Sequence, residues 1–445
     1  MAAAVACLSV CVSLGASPVS LGEVGSAVPG VRLIGAPDDM RTGDSSAFVG
    51  DFNGDGFDDV LIGASGDPAS AEGRAYLVYG TGATSSAVSL ESLASRGIVF
   101  EGIAVGDEAG FSVASAGDFN GDDFDDLLIG APGADPLGRA DAGEAYLIFG
   151  SIALPQVIDL ANVGTPAVPG IRIVGRTEGD RAGFSVSFAG DMNGDGRTDV
   201  AVGAPQADFN GTSQGGEVYL LYGSATLTGT VDPGVTPVAG AILESREIDR
   251  LAGSSVSTAG DFNGDGFDDL VIGGPGTEGS GLKGKVYLVC GCQFLTNPVN
   301  LDNVGAGVTG VTYIGAVNDF AGRVAAYAGD INRDGLDEVL VGAPNAGSGR
   351  AYLLGGQGFV ASPASLEGIA AAADGIIFEG ISPEDHAGLA VFTAGDVTGD
   401  GLDDLLIGAP EVDASPEVNA GAAYLVHGTT ASSLPATPLS LATVG

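Results

Sequence analysis

Short apolar runs bounded by glycine recur along the whole chain. Runs of three or four apolar residues end in Gly-Ala-Pro-like turns, as in Leu127–Pro132, Val200–Pro205 and Leu405–Pro410. They show no polar alternation, which is typical of strands buried on both faces. Their shortness, β-branched content and flanking glycines favour strands over helices. The pattern therefore predicts an all-β protein.

Further short strands surround each of these runs and complete a unit. One strand ending in Gly comes first, as in Ile98–Gly102 and Ile171–Gly175, with a weaker case at Ala241–Glu244. A second strand, such as Gly110–Val113, leads into an acidic loop, and a closing strand such as Ala145–Phe149 ends the unit. Four strands and a long connector predict one blade of a β-propeller.

Six such units fill the chain from residue 26 to residue 445. The approximate repeats are 26–97, 98–170, 171–240, 241–310, 311–374 and 375–445. The lack of a 3.6-residue period excludes a helical solenoid, and a parallel β-helix repeats at a much shorter period. We therefore predict a β-propeller of four-stranded blades, and the sequence leaves a six-bladed and a seven-bladed ring open.

Residues 1–25 have two competing interpretations. Met1–Leu14 is apolar enough for the core of a secretory signal, although no Lys or Arg precedes it. Alternatively, Ala6–Gly25 aligns without gaps with Val286–Gly305, so this segment also fits the tail of a repeat. The leader is thus predicted as either a signal peptide or a partial blade strand.

The acidic loop is the most regular part of each unit. It begins at Asp51, Asp118, Asp191, Asp261, Asp330 and Asp396, and in the first and fourth units it reads DFNGDGFDD. Oxygen-bearing side chains stand at positions 1, 3, 5 and 9, and glycine at position 6 permits a sharp turn in five loops. Calcium takes six to eight oxygen ligands from such flexible segments. The candidate ligands, with position 7 contributing its main-chain carbonyl, are Asp51, Asn53, Asp55, Phe57 and Asp59; Asp118, Asn120, Asp122, Phe124 and Asp126; Asp191, Asn193, Asp195, Arg197 and Asp199; Asp261, Asn263, Asp265, Phe267 and Asp269; Asp330, Asn332, Asp334, Leu336 and Glu338; and Asp396, Thr398, Asp400, Leu402 and Asp404.

Two other interpretations of these loops are less satisfactory. An EF-hand loop starts in the same way but needs Glu at position 12 and flanking helices. Simple turns also favour Asp, Asn and Gly, but a bare turn gains nothing from concentrating carboxylates at the same places six times. We therefore predict up to six Ca²⁺ ions rather than Mg²⁺, whose rigid octahedron seldom uses all-protein cages. Position 12 is apolar throughout: Ile62, Ile129, Val202, Ile272, Val341 and Ile407.

The loops are not equivalent. Asp123 replaces the position-6 glycine in the second loop. Arg197 and Thr198 leave the third loop with fewer carboxylates, and Thr398 is a weak ligand in the sixth. We expect the first and fourth loops to bind calcium best, and the third or sixth to bind it worst.

Charge and cysteine content agree with this interpretation. The formal net charge is −41, from 57 acidic and 16 basic residues, which repels nucleic acid and anionic membranes and attracts cations. A merely halophilic surface is the alternative explanation. Four cysteines are too few for a disulfide-stapled fold, and Cys290 fills a slot held elsewhere by Tyr79 or Phe149, which indicates packing. No stretch is long enough to span a bilayer.

The combined pattern resembles the FG-GAP repeat. Gly-Phe precedes the loop at Gly110 and Gly183, Asp-x-Asx-x-Asp-Gly lies within it, and Gly-Ala-Pro follows. Such repeats form the N-terminal propeller of integrin α-chains and occur in many bacterial extracellular proteins. The resemblance covers residues 26–445 and implies calcium in loops on one rim and roles in adhesion or ligand binding. Integrin propellers have seven blades, whereas six units are visible here. The chain either closes as six blades, with the N-terminal segment lending a strand, or belongs to a longer array.

No catalytic pattern accompanies the repeats. The chain has two histidines and lacks a Gly-x-Ser-x-Gly elbow, a phosphate-binding loop and zinc-ligand spacing. We therefore expect no enzyme, but a secreted or cell-surface calcium-dependent module that binds an extracellular protein or glycan, without nucleic-acid binding or membrane insertion. The alternatives are a structural spacer within a larger surface protein and a propeller hydrolase.

Overall fold

The chain folds almost entirely into short β-strands. The computed structural model describes residues 31–35, 41–82, 87–208, 213–235, 239–357, 362–372, 374–413, 420–429 and 437–444. Residues 1–25 lie outside these ranges, so both interpretations of the leader remain predictions. Within the described ranges the strands form a series of similar sheets, which we number as blades 1 to 6.

The innermost strands of successive blades contact one another, and the other strands follow outward. In this order, blades 1 to 3 contain β2 (Thr42–Phe48), β3 (Val60–Ala64), β4 (Arg74–Val78), β6 (Gly97–Glu101) and β10 (Val157–Asp159); β7 (Ser112–Gly117), β8 (Asp126–Ala131), β9 (Glu144–Ile148), β11 (Gly170–Val174) and β15 (Gly229–Val231); and β12 (Ser185–Gly190), β13 (Asp199–Ala204), β14 (Glu217–Leu221), β16 (Gly240–Glu244) and β20 (Val299–Asn300).

Blades 4 and 5 repeat this arrangement. They contain β17 (Ser255–Gly260), β18 (Asp269–Gly274), β19 (Lys283–Val289), β21 (Gly310–Val317) and β25 (Ala364–Ser365); and β22 (Val324–Gly329), β23 (Glu338–Ala343), β24 (Arg350–Leu354), β26 (Gly375–Glu379) and β30 (Leu439–Ser440). Blade 6 has three described strands, β27 (Ala390–Gly395), β28 (Asp404–Ala409) and β29 (Ala422–Val426). A separate two-stranded sheet pairs β1 (Arg32–Ile34) with β5 (Ala87–Ser89).

Helical structure in the described residues consists of single turns. None of these is long and apolar enough to cross a membrane. They are the α-helix α1 (Ile369–Ala372) and the 3-10 turns Leu90–Ser92, Ala94–Arg96, Pro136–Gly138, Leu160–Asn162, Leu301–Asn303, Leu366–Gly368 and Leu441–Thr443.

The blades differ from the predicted repeats in two ways. The strand predicted to open each repeat after the first is the fourth strand of the preceding blade: β6 pairs antiparallel with β4, with Val99 opposite Tyr76. In addition, a strand from the connector of the next blade runs parallel to this fourth strand, as β10 does beside β6. The four predicted strands are therefore present in blades 1 to 5, and each of these blades carries a short fifth strand in addition. These fifth strands have only two or three residues, too few to show a periodic pattern in the sequence.

Alternate residues of each central strand belong to different cores. Leu127 and Ile129 of β8 pack with Leu61 of blade 1. Between them, Leu128 points the other way and packs with Val200 of blade 3. The central strands of blades 1 to 5 are therefore buried on both faces, which explains their unbroken apolar sequence. The result is the predicted β-propeller architecture.

Candidate metal centre

The six acidic loops lie on one rim of the propeller. Each joins the first and second strands of a blade, which run antiparallel, as residues 49–59 join β2 to β3. The first carboxylate closes the loop upon itself. In the first loop, Asp51 Oδ1 accepts the Asp55 N–H at 2.9 Å and Oδ2 accepts the Gly56 N–H at 2.7 Å. The same pair of hydrogen bonds is made by Asp118, Asp191, Asp261, Asp330 and Asp396.

Position 5 repeats this behaviour one step further along the loop. Asp55 Oδ1 accepts the Phe57 N–H at 3.0 Å, and the position-5 aspartates of the other five loops accept the corresponding N–H. At position 3, Asn53 Oδ1 accepts the Asp55 N–H at 2.8 Å. Positions 1, 3 and 5 therefore hold the loop backbone while their side chains stay near the exposed rim.

The position-9 acid is different because it is buried at the start of the second strand. Asp59 is fully buried and its Oδ1 accepts the Gly80 N–H at 2.8 Å, which ties the loop to the end of the third strand. In the second loop, Asp126 Oδ2 also accepts the Phe119 N–H at 3.0 Å, and the third, fifth and sixth loops do the same. In the first and fourth loops, Asp59 Oδ2 and Asp269 Oδ2 are buried with no hydrogen-bond partner.

Burial and mutual repulsion act together on these acids. Burial, with repulsion from Asp55 and Asp51, raises the pKa of Asp59 from its usual 3.8 to about 7. Burial is also the main cause for the pKa of Asp126, about 8, for those of Asp199 and Asp269, about 7, and for that of Glu338, about 8. Each loop thus gathers negative charge around a buried carboxylate, and a bound cation would relieve this repulsion.

The loops fit calcium by their chemistry more than by their side-chain geometry. No three His, Cys, Asp or Glu side chains in the described part of the chain are grouped to hold a metal ion. Positions 1 and 5 instead face N–H groups of their own loop. Four buried oxygens nevertheless have no donor at full hydrogen-bonding geometry, although the Phe52 N–H lies near Asp59 and the Cys290 thiol near Asp269. Carboxylate and amide oxygens are what calcium prefers. The four buried oxygens are Asp59 Oδ2, Asp269 Oδ2, Asn120 Oδ1 and Asn263 Oδ1.

The irregular loops keep the common backbone path. Asp123 adopts φ 69°, in the left-handed region used by Gly56 at 87°, so the second loop turns at a residue for which this conformation is unfavourable. Arg333 does the same at position 4 of the fifth loop, and its guanidinium donates to the Gly401 carbonyl of the sixth at 2.9 Å. All thirty candidate positions are described, but calcium at any of them stays a prediction.

The residue at position 8 was not among the predicted site residues, yet it links neighbouring loops. Asp125 Oδ2 of the second loop accepts the Asp51 N–H of the first loop at 2.8 Å. Asp268 bonds in the same way to Asp191, at 2.7 Å, and Asp337 to Asp261, at 3.0 Å. The signal was present in the sequence, because five of the six loops end in two consecutive acids.

The opposite rim carries the other connections, and buried polar side chains hold them. Asp107 accepts the Ala104 N–H at 2.9 Å in the loop from blade 1 to blade 2, and Asp180, Asp319 and Asp385 make the equivalent bond. Between blades 3 and 4, Arg250 takes this place and pairs with Glu247 at 2.7 Å. Exposed apolar side chains lie on the same rim: Val105, Leu137, Ile248, Val317 and Ile381.

Sequence comparison identifies the repeat. A model described as the FG-GAP repeat matches residues 42–79, 109–148, 182–221, 252–289, 321–354 and 388–426, or the first three strands of every blade. The chain belongs to the FG-GAP repeat family. This FG-GAP protein is 34% identical over 176 residues to phosphatidylinositol-glycan-specific phospholipase D of Bos taurus, which covers 39% of the chain and 19% of the relative. It is 30% identical over 245 residues to integrin alpha-5 of Xenopus laevis, covering 54% and 20%, and 30% identical over 249 residues to integrin alpha-V of Gallus gallus, covering 54% and 21%. The alignments thus span about a fifth of these relatives.

Proposed function

We propose that this FG-GAP protein is an extracellular calcium-binding propeller that binds a protein or glycan ligand. The main support is the unpaired, buried Oδ2 of Asp59 and Asp269, each surrounded by further acids. Burying an unpaired carboxylate oxygen is unfavourable, and a cation would satisfy it. Calcium would then brace the rim by linking positions 1 to 9 of each loop.

The opposite rim supports a binding role over that of a simple spacer. Its exposed apolar residues are carried by loops that buried acids hold in place, for example Val105 by Asp107. A spacer has no need for apolar loop tips, whereas a recognition surface combines exposed apolar contacts with a fixed backbone. The similarity to integrin α-chains favours the same role.

The enzyme alternative has weaker support. One relative is named as a phospholipase D, but the alignment covers only 19% of it. The matched segments of this chain form blades, and the described residues contain no histidine within an acidic loop. We propose no catalytic activity.

Thermal unfolding in the presence of calcium tests the metal proposal. Protein stripped with a chelator should unfold at a temperature that rises with calcium and much less with magnesium, since a ligand that binds only the folded state stabilises it. At a calcium concentration 100 times Kd, one site adds about 2.7 kcal/mol to the free energy of unfolding. Asp269→Ala should reduce this rise, whereas Glu178→Ala, which removes one exposed charge on the opposite rim, should not. Equal responses to calcium and magnesium, or none, would contradict the proposal.

Ligand binding needs a separate test. Labelled protein would be applied to arrays of extracellular-matrix proteins and glycans in calcium and in chelator. Selective binding that is lost after Val105→Asp and Ile248→Asp, but kept after Glu178→Ala, would support the apolar rim as the binding surface. Binding that is unchanged by Val105→Asp and Ile248→Asp would make the structural spacer the better explanation.

A further inference from the structure

The acidic loops contact one another through their position-8 side chains. The Asp125 carboxylate leaves its own loop and accepts the N–H of Asp51, the first candidate ligand of the preceding loop, at 2.8 Å. The Asp268 carboxylate does this for Asp191, and the Asp337 carboxylate for Asp261. Each of these residues directly precedes the position-9 candidate ligand of its own loop. One short segment therefore touches two candidate sites.

A glycine makes this approach possible. The residue before position 1 is glycine in every loop, and at Gly50 the backbone adopts φ 69°. A Cβ there would collide with the Asp125 carboxylate, and a Cβ at Gly190 would collide with that of Asp268. The neighbouring acid thus fills the space that the missing side chain leaves. The same contact recurs between Gly329 and Asp403 of the fifth and sixth loops.

Side chains at position 7 form a second contact between loops. Phe124 of the second loop covers Gly54 of the first, and Phe267 covers Gly194. Main-chain bonds run alongside: the Cys292 N–H, at the end of the third strand of blade 4, donates to the Met192 carbonyl of the third loop at 2.8 Å. Neighbouring loops are therefore joined by packing as well as by the carboxylate.

One junction lacks the carboxylate. Thr198 stands at position 8 of the third loop, and its side chain lies over Gly117 where an aspartate lies at the other junctions. Across the five junctions that the structure describes, the carboxylate contacts consequently join two groups of loops, the first with the second, and the third to the sixth.

We propose that Asp125, Asp268 and Asp337 are positioning residues that couple calcium binding between neighbouring loops. The proposal rests on the calcium function proposed above. Calcium held at position 9 of one loop fixes the adjacent position-8 carboxylate, which in turn fixes the backbone of the first ligand in the preceding loop. The coupling runs within each group and is weaker between the second and third loops.

Tyrosine-sensitised terbium luminescence can follow two loops separately, with terbium(III) as the probe. Tyr79 lies near enough to Asp59 and Asp55 of the first loop to be affected by their charges, and Tyr222 near enough to Asp199 of the third. The corresponding slot holds Phe149, Cys290, Gly355 and His427 in the other blades. The signal lost on Tyr79→Phe therefore reports the first loop, and that lost on Tyr222→Phe reports the third.

Two matched variants give a crossed test. Asp125→Ala should raise the terbium concentration needed for half of the Tyr79 signal about tenfold, the typical effect of removing a charge-assisted hydrogen bond, and leave the Tyr222 signal unchanged. Asp268→Ala should do the reverse. Asp125→Asn keeps an acceptor and should restore most of the affinity at the first loop. If Asp125→Asn behaves like Asp125→Ala, charge attraction rather than positioning is the cause, and the proposal is wrong.

The remaining outcomes are also decisive. Absence of tyrosine-dependent luminescence from the unchanged protein would overturn the calcium function itself. Binding that is normal in both alanine variants, or weakened equally at both reporters, would overturn the coupling alone. Should Asp125→Ala fail to fold, Thr198→Asp in a Phe149→Tyr background tests the same idea by gain: it supplies the missing carboxylate and should tighten terbium binding at the second loop. No tightening would contradict the proposal.

Discussion

At the scale of single residues, the position-9 acid has the most unusual environment in each loop. It is buried and accepts a hydrogen bond from the backbone at the end of the third strand of its blade, yet it lies near two further acids. The sequence identified it as a candidate ligand from spacing alone. The sequence did not show that Asp59 and Asp269 leave an oxygen unpaired, because this depends on whether the position-2 N–H reaches the carboxylate in three dimensions.

These acids predict a pH dependence of stability for the calcium-free protein. A carboxyl whose pKa is higher in the folded than in the unfolded state stabilises the fold fully below its unfolded pKa. That contribution is lost as the pH rises through the folded pKa. The unfolded values are about 4 and the folded values about 7 to 8, so stability should fall between about pH 4 and pH 8.

Thermal unfolding at pH 5 and pH 8 measures this effect. We expect a midpoint about 5 °C lower at pH 8 in calcium-free buffer, and a smaller difference with saturating calcium, which takes the place of the protons. Asp59→Asn and Asp269→Asn together should reduce the calcium-free difference. A midpoint that increases towards pH 8 without calcium would mean that the buried acids are stable in their charged form.

At the scale of elements, the strands and their order were largely predictable, but the sheets were not. Glycine-bounded apolar runs placed four strands in each unit, including the weak case at Ala241–Glu244, which is the full strand β16. The assignment of strands to sheets required pairing information that local patterns lack. The fifth strand was missed because Val157–Asp159 is too short to show a period.

The connector that carries the fifth strand is a packed element. Leu160 follows β10 directly and is 0% exposed in the core between blades 1 and 2, whereas Leu137 on the opposite rim is 69% exposed. Leu90, Leu301, Leu366 and Leu441 are buried at the equivalent place. At Leu160, Leu301 and Leu441 this anchor begins a Leu-x-x-Val-Gly sequence.

Replacing this anchor should destabilise the propeller. Leu160→Ala removes a fully buried side chain and leaves a cavity, so the free energy of unfolding should fall by about 3 kcal/mol. Leu137→Ala, the matched control, should change it by less than about 0.5 kcal/mol. Urea unfolding followed by circular dichroism measures both. A similar, small effect for the two variants would mean that the connector contributes little to the blade.

At the scale of the whole molecule, the exposed face of blade 6 and the strand β1 are complementary. Leu406 of blade 6 is 36% exposed, whereas the equivalent residues of blades 1 to 5 are fully buried at 0%. These residues are Leu61, Leu128, Ala201, Val271 and Leu340. Leu406 thus lacks the neighbouring blade face that covers its equivalents. β1 can serve as an outer strand of blade 6, because Leu33 packs on blade 1 in the way that Phe100 of β6 packs on blade 2.

We therefore expect β1 to pair with β29 and close a ring of six blades. The register follows from the other blades, in which Ala75 lies opposite Phe100 and Ala145 opposite Ile173, so Leu33 should lie opposite Ala423. Leu33→Cys with Ala423→Cys, in a background with the native cysteines replaced by serine, should form a disulfide within one chain upon mild oxidation. Leu33→Cys with Ala145→Cys, whose strand already has a partner, should not. Non-reducing electrophoresis separates the results: a faster-migrating monomer indicates the closed ring, whereas covalent dimers would show that the free edge of one molecule pairs with another. No crosslink at all would contradict closure by β1.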